Sequence, residues 1–365
     1  MNHVIFLTGF PGFIGRRLLE KQLNRPDVVR CYCLIQKKFH ETSKSVLAEM
    51  ALRSGVHDQK VELLIGDISM EKLGLDDEKY HEISNRVTMI YHAAAIYDLA
   101  VKEEIAWKIN VTGTKHVIAF AHDCPNLFRL NYISTCYVSG KRRGTVRESE
   151  LEHDTGFKNH YESTKYAAEM LIREAALRRS LPVVVFRPSI VVGDSRTGQT
   201  DKYDGPYFFI LLLLSLPNFL PIPYIGKGRA QVNLVPVDYA ANVIDYISYL
   251  HDVDGLTFQI ADPTPYTAKE QLALMSQVMG KKMIPITIPL FIIKWLLSIP
   301  VLNHIVKVPA QLMDYLDHRA EYDTSNMKKY LSGTDIACPN LKDYLGAVIE
   351  FAREHPDRTT KSAKF

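Results

Sequence analysis

The chain reads as an α/β protein: a Rossmann-type, doubly wound parallel sheet with helices on both faces, followed by a smaller mixed C-terminal substrate domain. Three observations predict this. Short apolar strand signals alternate with amphipathic helix signals through the N-terminal half. The first strand signal ends in a glycine-spaced turn that runs directly into a helix pattern. After Gly193 the texture becomes polar, then proline-rich, and only later regular again. A length of 365 residues corresponds to roughly two domains at about 150 residues each. The apolar fraction of 47% against 23% charged is enough for a sizeable core.

In chain order, strand signals fall at His3–Thr8, Val29–Ile35, Val61–Ile65, Val87–His92, Leu127–Ser134 and Pro182–Phe186. Each is short and rich in Val, Ile, Leu and aromatics. Helical spacing is clearest at Val111–Ala121 and Tyr161–Arg179. Strands joined through helices pair in parallel, and the crossovers cover both sheet faces. Asp194–Gly205 reads as loop. Gly205–Gly226 has no charged residue but contains Pro206, Pro217, Pro221 and Pro223. Val235–Leu250 returns to helical spacing, Leu256–Ala261 reads as a strand, and Thr267 is placed to cap a helix through Met279. Ile284–Val306 is very apolar, and the polar tail from about His355 is expected to fray. The expected division is 1–193 for cofactor and catalysis and 194–365 for substrate, with part of 226–262 returning to the first.

Lys plus Arg total 44 and Asp plus Glu 41, a formal charge of +3. That balance argues against bulk binding of nucleic acid. Five cysteines at irregular spacing argue for a reducing compartment, so a cytoplasmic location is expected. The apolar start lacks a basic leader region and runs into the glycine turn, so it reads as a strand rather than a signal peptide. Cys31 and Cys33 share one strand face as packing residues; no second Cys/His pair has zinc spacing, and no metal is expected.

The turn is Thr8-Gly9-Phe10-Pro11-Gly12-Phe13-Ile14-Gly15. Side chains at its early glycines would block a tight turn and the approach of a diphosphate to backbone N–H groups. The helix behind it supplies free donors and partial positive charge. Gly9, Phe10, Pro11, Gly12, Phe13 and Ile14 are therefore expected cofactor contacts. The second strand ends Leu34-Ile35-Gln36-Lys37-Lys38. An acid there would hold the ribose 2′-OH of NAD(H); the lysines instead attract a 2′-phosphate, which favours NADP(H). Gln36 and Lys37 are the expected contacts, with Arg16 a further candidate.

Tyr161 and Lys165 are four residues apart on one helix face. A fixed ammonium favours phenolate and is expected to lower the tyrosine from its usual value of about 10 by roughly 1 to 3 units. Tyr161 could then exchange a proton with an alkoxide. Upstream, Ile133-Ser134-Thr135-Cys136-Tyr137-Val138-Ser139-Gly140 ends a strand in hydroxyls, where open α/β sheets bind ligands. Thr135 could give the substrate oxygen a second hydrogen bond.

With these residues in place, the chain resembles the extended short-chain dehydrogenase/reductase family. Further features carry the likeness: Gly66-Asp67-Ile68, His92-Ala93-Ala94-Ala95, Asn110 and Arg187-Pro188-Ser189. The resemblance implies that Asp67 and Ile68 flank an adenine and that Ala93 and Ala94 line the cofactor cleft. Pro188 and Ser189 would lie near the nicotinamide. Thr135, Tyr161 and Lys165 match the catalytic positions, with Tyr161 and Lys165 also touching cofactor. Asn110 matches a position that is usually structural.

A closer resemblance is to the fatty acyl-CoA reductase and thioester reductase branch. It rests on the Ile133–Gly140 run, Phe186-Arg187-Pro188-Ser189-Ile190-Val191-Val192-Gly193-Asp194, Asp204-Gly205-Pro206-Tyr207 and Val235-Pro236-Val237-Asp238-Tyr239. Gln36 departs from that branch, which often has Arg there. The implied reaction is reduction of an acyl thioester, on coenzyme A or an acyl carrier protein, to aldehyde or alcohol. Alternatives within the wider family are a hydroxysteroid-type dehydrogenase, a ketone reductase or a nucleotide-sugar epimerase. Outside it stands a non-catalytic NADP sensor. The apolar stretches 205–226 and 284–306 suit a hydrophobic carbonyl substrate, or are simply core of the smaller domain. Seven uninterrupted residues, Phe208–Leu214, are too few to span a bilayer, which needs about 20. Peripheral membrane contact through Ile288–Leu302 is the expected alternative.

Overall fold

The computed structural model describes residues 2–55, 58–97, 101–179, 181–298 and 310–356. The apolar run to Val306 and the polar tail therefore lie partly outside the described residues.

Thirteen strands occur among these residues: β1 His3–Thr8, β2 Val28–Ile35, β3 Val61–Ile65, β4 Met89–His92, β5 Arg129–Ile133, β6 Gly144–Val146, β7 Val183–Pro188, β8 Ile190–Val192, β9 Ile222–Ile225, β10 Leu234–Pro236, β11 Thr257–Ile260, β12 Met283–Ile288 and β13 Ala320–Tyr322. Seven form one sheet in the order β11-β7-β5-β4-β1-β2-β3. Every pairing in it is parallel. The order reverses between β1 and β4, so a crevice opens at their C-terminal ends, the place where such sheets bind ligands. The predicted doubly wound fold is thus the observed one. The strand expected at Leu256–Ala261 is the sheet's edge strand β11, carried back by the chain after an excursion.

Period-2 alternation divides the strand side chains between two cores. Ile5, Leu7, Cys31, Cys33, Met89, Tyr91, Val184 and Phe186 face one side, against Leu18 and Leu19 of the helix Phe13–Leu23 and Val243, Ile244 and Ile247 of the helix Val237–Ser248. Phe6, Tyr32, Leu34, Ile90, Tyr132 and Val185 face the other, against Val117 and Phe120 of the helix Gly113–His122 and Ala168 and Ile172 of the helix His160–Arg179. Burial on both faces explains why the strands read as near-continuous apolar runs.

A third core gathers Val192, Tyr207, Ile210, Leu234, Met275, Leu341 and Tyr344, all from beyond the β7 strand. The charge-free stretch resolves into a helix at Pro206–Ser215, with proline in its first turn, and strand β9, which pairs with β12. Thr267 caps the helix Ala268–Val278 as expected, in a reciprocal box with Glu270. No described helix is long and apolar enough to cross a membrane.

Candidate functional site

At the β1 end the glycines are demanded by sterics. Gly9 has φ +95°, and a Cβ on it would lie 2.6 Å from the Ala93 carbonyl carbon. Cβ atoms on Gly12 and Gly15 would lie 2.7 and 2.5 Å from the Gly9 oxygen. The helix that follows starts with no side-chain cap and no acid in its first turn. Its leading N–H groups therefore face the crevice as anion donors. This cradle fits a dinucleotide diphosphate. Phe10 turns its ring into the core and Ile14 packs against the same cluster, so only their backbone can serve a ligand.

Ala93 and Ala94 border this turn: their N–H groups donate to the Thr8 carbonyl (3.2 Å) and the Thr8 hydroxyl (3.2 Å). His92, just before them, is locked between the hydroxyls of Thr8 (2.8 Å) and Thr114 (3.0 Å), and burial pulls it down to about 3. It is a packed, neutral imidazole.

Beyond β2, Gln36 donates 2.7 Å to the Asp67 carboxylate, and Lys37 is exposed. Burial pushes Asp67 up, yet hydrogen bonds from Ser69 and Gln36 leave it below its usual value. Ile68 is buried against Gly113, where a Cβ would lie 2.7 Å from its Cδ1. Arg16 differs from expectation: its guanidinium is taken by Asp201 (2.9 Å) and Glu49 (3.0 Å), so it braces the 194–205 loop. At the β7 end Pro188 and Ser189 are buried, and the Ser189 Oγ has no hydrogen-bond partner among the described residues. An orphaned hydroxyl in that position suits a polar ligand atom.

Thr135 begins the loop after β5, accepting from Tyr137 N–H (3.3 Å) and donating to the Pro188 carbonyl (3.4 Å). The Tyr161 phenol lies near the Thr135 side chain, which pulls against the upward shift that burial imposes on it. Lys165 shares the helix face but not the hydroxyl pair. Its ammonium donates 2.7 Å to the Ile133 carbonyl and sits 4.4 Å from the centre of the Tyr132 ring.

The expected depression of Tyr161 is not what the structure shows. Burial holds the phenol well above its ordinary 10, the nearby Thr135 side chain opposes this, and the Asp204 and Glu162 carboxylates add to it. Lys165 is itself lowered to about 7 by burial, against the pull of Glu169. Desolvation outweighs helical adjacency here because both groups lie inside the protein. A phenol of this kind stays protonated at neutral pH and is suited to donating toward an oxygen that gains negative charge. Cys136 is no nucleophile: burial raises its thiol far above the ordinary range, and it donates 3.0 Å to the Arg187 carbonyl.

Two buried supports were not legible from spacing. Glu169, one turn past Lys165, accepts from Arg187 (2.6 Å), Arg173 (3.2 Å) and Ser134 (2.6 Å), tying the Tyr161 helix to the ends of β5 and β7. Asn110 lies in a wide π-type turn, accepts from Ile96 N–H (2.9 Å) and donates to Thr164 (3.0 Å), pinning the loop after β4 to the same helix.

An apolar cavity opens beside Tyr161, walled by Tyr97, Tyr137, Phe209, Leu272, Met275 and Tyr315. Tyr97 meets the Tyr161 ring edge-on at 4.8 Å. Tyr315 arrives from the far end of the chain, donates 2.8 Å to the buried Glu162, and accepts from Asn159 at 2.8 Å. Phe209 comes from the charge-free 205–226 stretch that suited a hydrophobic substrate, and Tyr137 stands two residues past Thr135; Tyr97 and Tyr315 carried no signal in the sequence.

A profile of the family described as male sterility protein matches residues 7–244. The chain is 27% identical over 274 residues to fatty acyl-CoA reductase wat of Drosophila melanogaster, covering 66% of this chain and 53% of that one. It is 29% identical over 280 residues to glycine betaine reductase ATRR of Emericella nidulans, covering 73% of this chain and 21% of that one. The chain thus spans about half of the first relative and about a fifth of the second. Among solved structures, the terminal R domain of the myxalamid PKS-NRPS pathway superposes with a TM-score of 0.81 at 26% identity, over 97% of this chain and 91% of that one. The reductase (R) domain of a non-ribosomal peptide synthetase from Mycobacterium tuberculosis shares the fold, with a TM-score of 0.70 at 19% identity over 98% and 92% of the two chains.

Proposed function

Because the chain belongs to the male sterility protein family, in the thioester-reductase branch of the extended, NAD(P)-dependent short-chain dehydrogenases/reductases, we propose that it reduces a hydrophobic acyl thioester to the aldehyde or alcohol with NADPH. One observation carries the reading: the Tyr161 phenol, with the Thr135 side chain near it, lines an apolar cavity beside a crevice shaped for a dinucleotide.

The Gly9–Gly15 turn and the helix behind it would hold the diphosphate. Asp67 and Ile68 would flank the adenine, and Ala93 and Ala94 the cleft. Pro188 and Ser189 would border the nicotinamide. Two features support NADP(H) over NAD(H): β2 ends without an acid, and Lys37 is exposed beside Gln36. When bound, the cofactor supplies a hydride for the carbonyl carbon. Tyr161 and Thr135 donate hydrogen bonds to the carbonyl oxygen and stabilise the negative charge that grows there. Collapse of the adduct breaks the carbon–sulfur bond; the thiolate leaves and takes up a proton, so one hydride and one proton yield aldehyde and thiol. A second hydride and proton yield the alcohol. Lys165, fixed on Ile133, holds the strand end and would meet the nicotinamide ribose.

The acyl group belongs against Phe209, Leu272 and Met275. Peripheral membrane contact through the Ile288–Leu302 segment fits the exposure of Phe291 and Trp295, and free cysteines fit a cytoplasmic site of action. The test is cofactor oxidation against acyl-CoA, aldehyde, ketosteroid and UDP-sugar panels, with products identified by mass. Stoichiometric NADPH consumption with aldehyde or alcohol from a thioester is expected. Turnover of ketosteroid or sugar nucleotide alone would overturn the reading.

A further inference from the structure

A thioester has two arms, and the apolar wall accounts for one. The other side of the cavity is rimmed differently. Ile225 and Val232 both line it, and the chain between them makes a tight turn, Gly226-Lys227-Gly228-Arg229-Ala230. Gly226 and Gly228 have φ near +60°, at +59° and +60°. A Cβ on Gly228 would lie 2.7 Å from the Lys269 Cβ, so glycine is what lets the turn lie against the helix Ala268–Val278. Backbone bonds fix the contact: Lys269 N–H donates to Gly228 (3.1 Å) and Ala268 N–H to Ala230 (2.8 Å). Lys269 itself lines the cavity, its ammonium 4.7 Å from the Tyr224 ring centre. Lys227, Arg229 and Lys269 are all exposed, and none has a carboxylate partner among the described residues. Three unpaired cations on one short rim repel one another. An otherwise apolar cavity gains nothing from them unless its ligand carries negative charge at that end.

We propose that the 226–230 turn and Lys269 form a phosphate-binding rim that takes the phosphate end of a pantetheine arm while the thioester carbonyl lies at Tyr161. The assignment rests on the thioester reading above and adds how the non-acyl arm is recognised. The shared chemistry is the pantetheine phosphate, which coenzyme A and a carrier-borne 4′-phosphopantetheine both supply.

The experiment compares KM for one acyl group presented as acyl-CoA, acyl-4′-phosphopantetheine and acyl-pantetheine. Wild type is expected to show a KM at least about tenfold lower with phosphate than without. In the double variant Lys227→Gln/Arg229→Gln that ratio falls toward one. Equal KM for the two phosphate-bearing substrates identifies the arm's own phosphate, as on a carrier protein; a lower value for acyl-CoA identifies its nucleotide phosphates. Should the double variant not fold, rising salt in wild type must raise KM for the phosphorylated substrates and leave acyl-pantetheine unaffected. Two results overturn the rim: thioester turnover without phosphate preference, or a preference the variant retains. Loss of binding to anionic vesicles at an unchanged KM ratio would also overturn it, assigning these cations to a lipid surface. Failure to reduce any thioester would instead sink the function proposed above.

Discussion

Replacing Tyr132 with leucine should move the high-pH limb of cofactor capture toward acid. The ammonium of Lys165 rests 4.4 Å from the centre of the Tyr132 ring and donates 2.7 Å to the Ile133 carbonyl. Burial lowers it to about 7, and Glu169 restrains the fall. A cation on a desolvated ring is held by roughly 2 kcal/mol, and one pKa unit is worth about 1.4 kcal/mol. Removing the ring should therefore lower Lys165 by roughly 1 to 1.5 units. The assay is kcat/KM for the cofactor against pH, which reports groups titrating in the free enzyme. Wild type should decline above about pH 7, and Tyr132→Leu roughly one unit lower. Tyr132→Phe keeps the ring and should keep the limb. Lys165→Arg, charged at every pH used, should lose it. The same burial destabilises the fold below about 7, where both folded and unfolded states carry the charge, and that cost shrinks as pH rises toward the ordinary 10.5. A wild-type profile flat across neutrality, or a limb indifferent to both Tyr132→Leu and Lys165→Arg, would refute the assignment.

Three further outcomes follow from the geometry. Gly9→Ala forces a Cβ to 2.6 Å from Ala93 at φ +95°; cofactor titration should show lost affinity, with stability down by about 1 to 3 kcal/mol, and a variant normal in both would contradict the close approach. Glu169→Gln leaves Arg187 buried without its carboxylate and should cost about 3 to 5 kcal/mol by denaturant titration. Glu169 is held below its ordinary 4.5, so its stabilisation is present above that value and vanishes as pH falls through the lowered one; the variant should lose that acid limb, and retention of it would exclude the ion pair. Gln36→Glu puts a carboxylate where the 2′-phosphate is proposed to sit and should shift the NADPH/NADH ratio of kcat/KM toward NADH by at least about tenfold; an unchanged ratio would remove Gln36 from the site.

The sheet was legible because strands buried on both faces leave a local signature. β1 and β3 fall on their predicted bounds, and the others shift by one or two residues at strand ends. β7 runs on to Pro188, where it pairs with Ile260 of β11, a partner some seventy residues away that local pattern cannot reveal. Thr135 and Tyr161 come near one another from two separate segments, an arrangement the proposed chemistry needs. The four-residue spacing of Tyr161 and Lys165 gave the shared helix face but not the electrostatics, since desolvation depends on everything packed around the pair. Of the cavity, only the wall from the 205–226 stretch had a local signal, for the same reason. Tyr97, Phe209 and Tyr315 come from three distant segments and meet only through tertiary packing. Arg16 carried a local signal for phosphate, but two carboxylates far along the chain claim it.

Single-turnover reduction of an acyl thioester by Tyr161→Phe probes the core of the account most directly, because the variant keeps the ring and its packing on Tyr97 while deleting one hydroxyl. Cofactor affinity should be retained, and the rate of aldehyde formation should fall by about 10²- to 10⁴-fold. Turnover close to wild type at saturating cofactor would contradict the claim that this phenol stabilises the negative charge on the reacting oxygen.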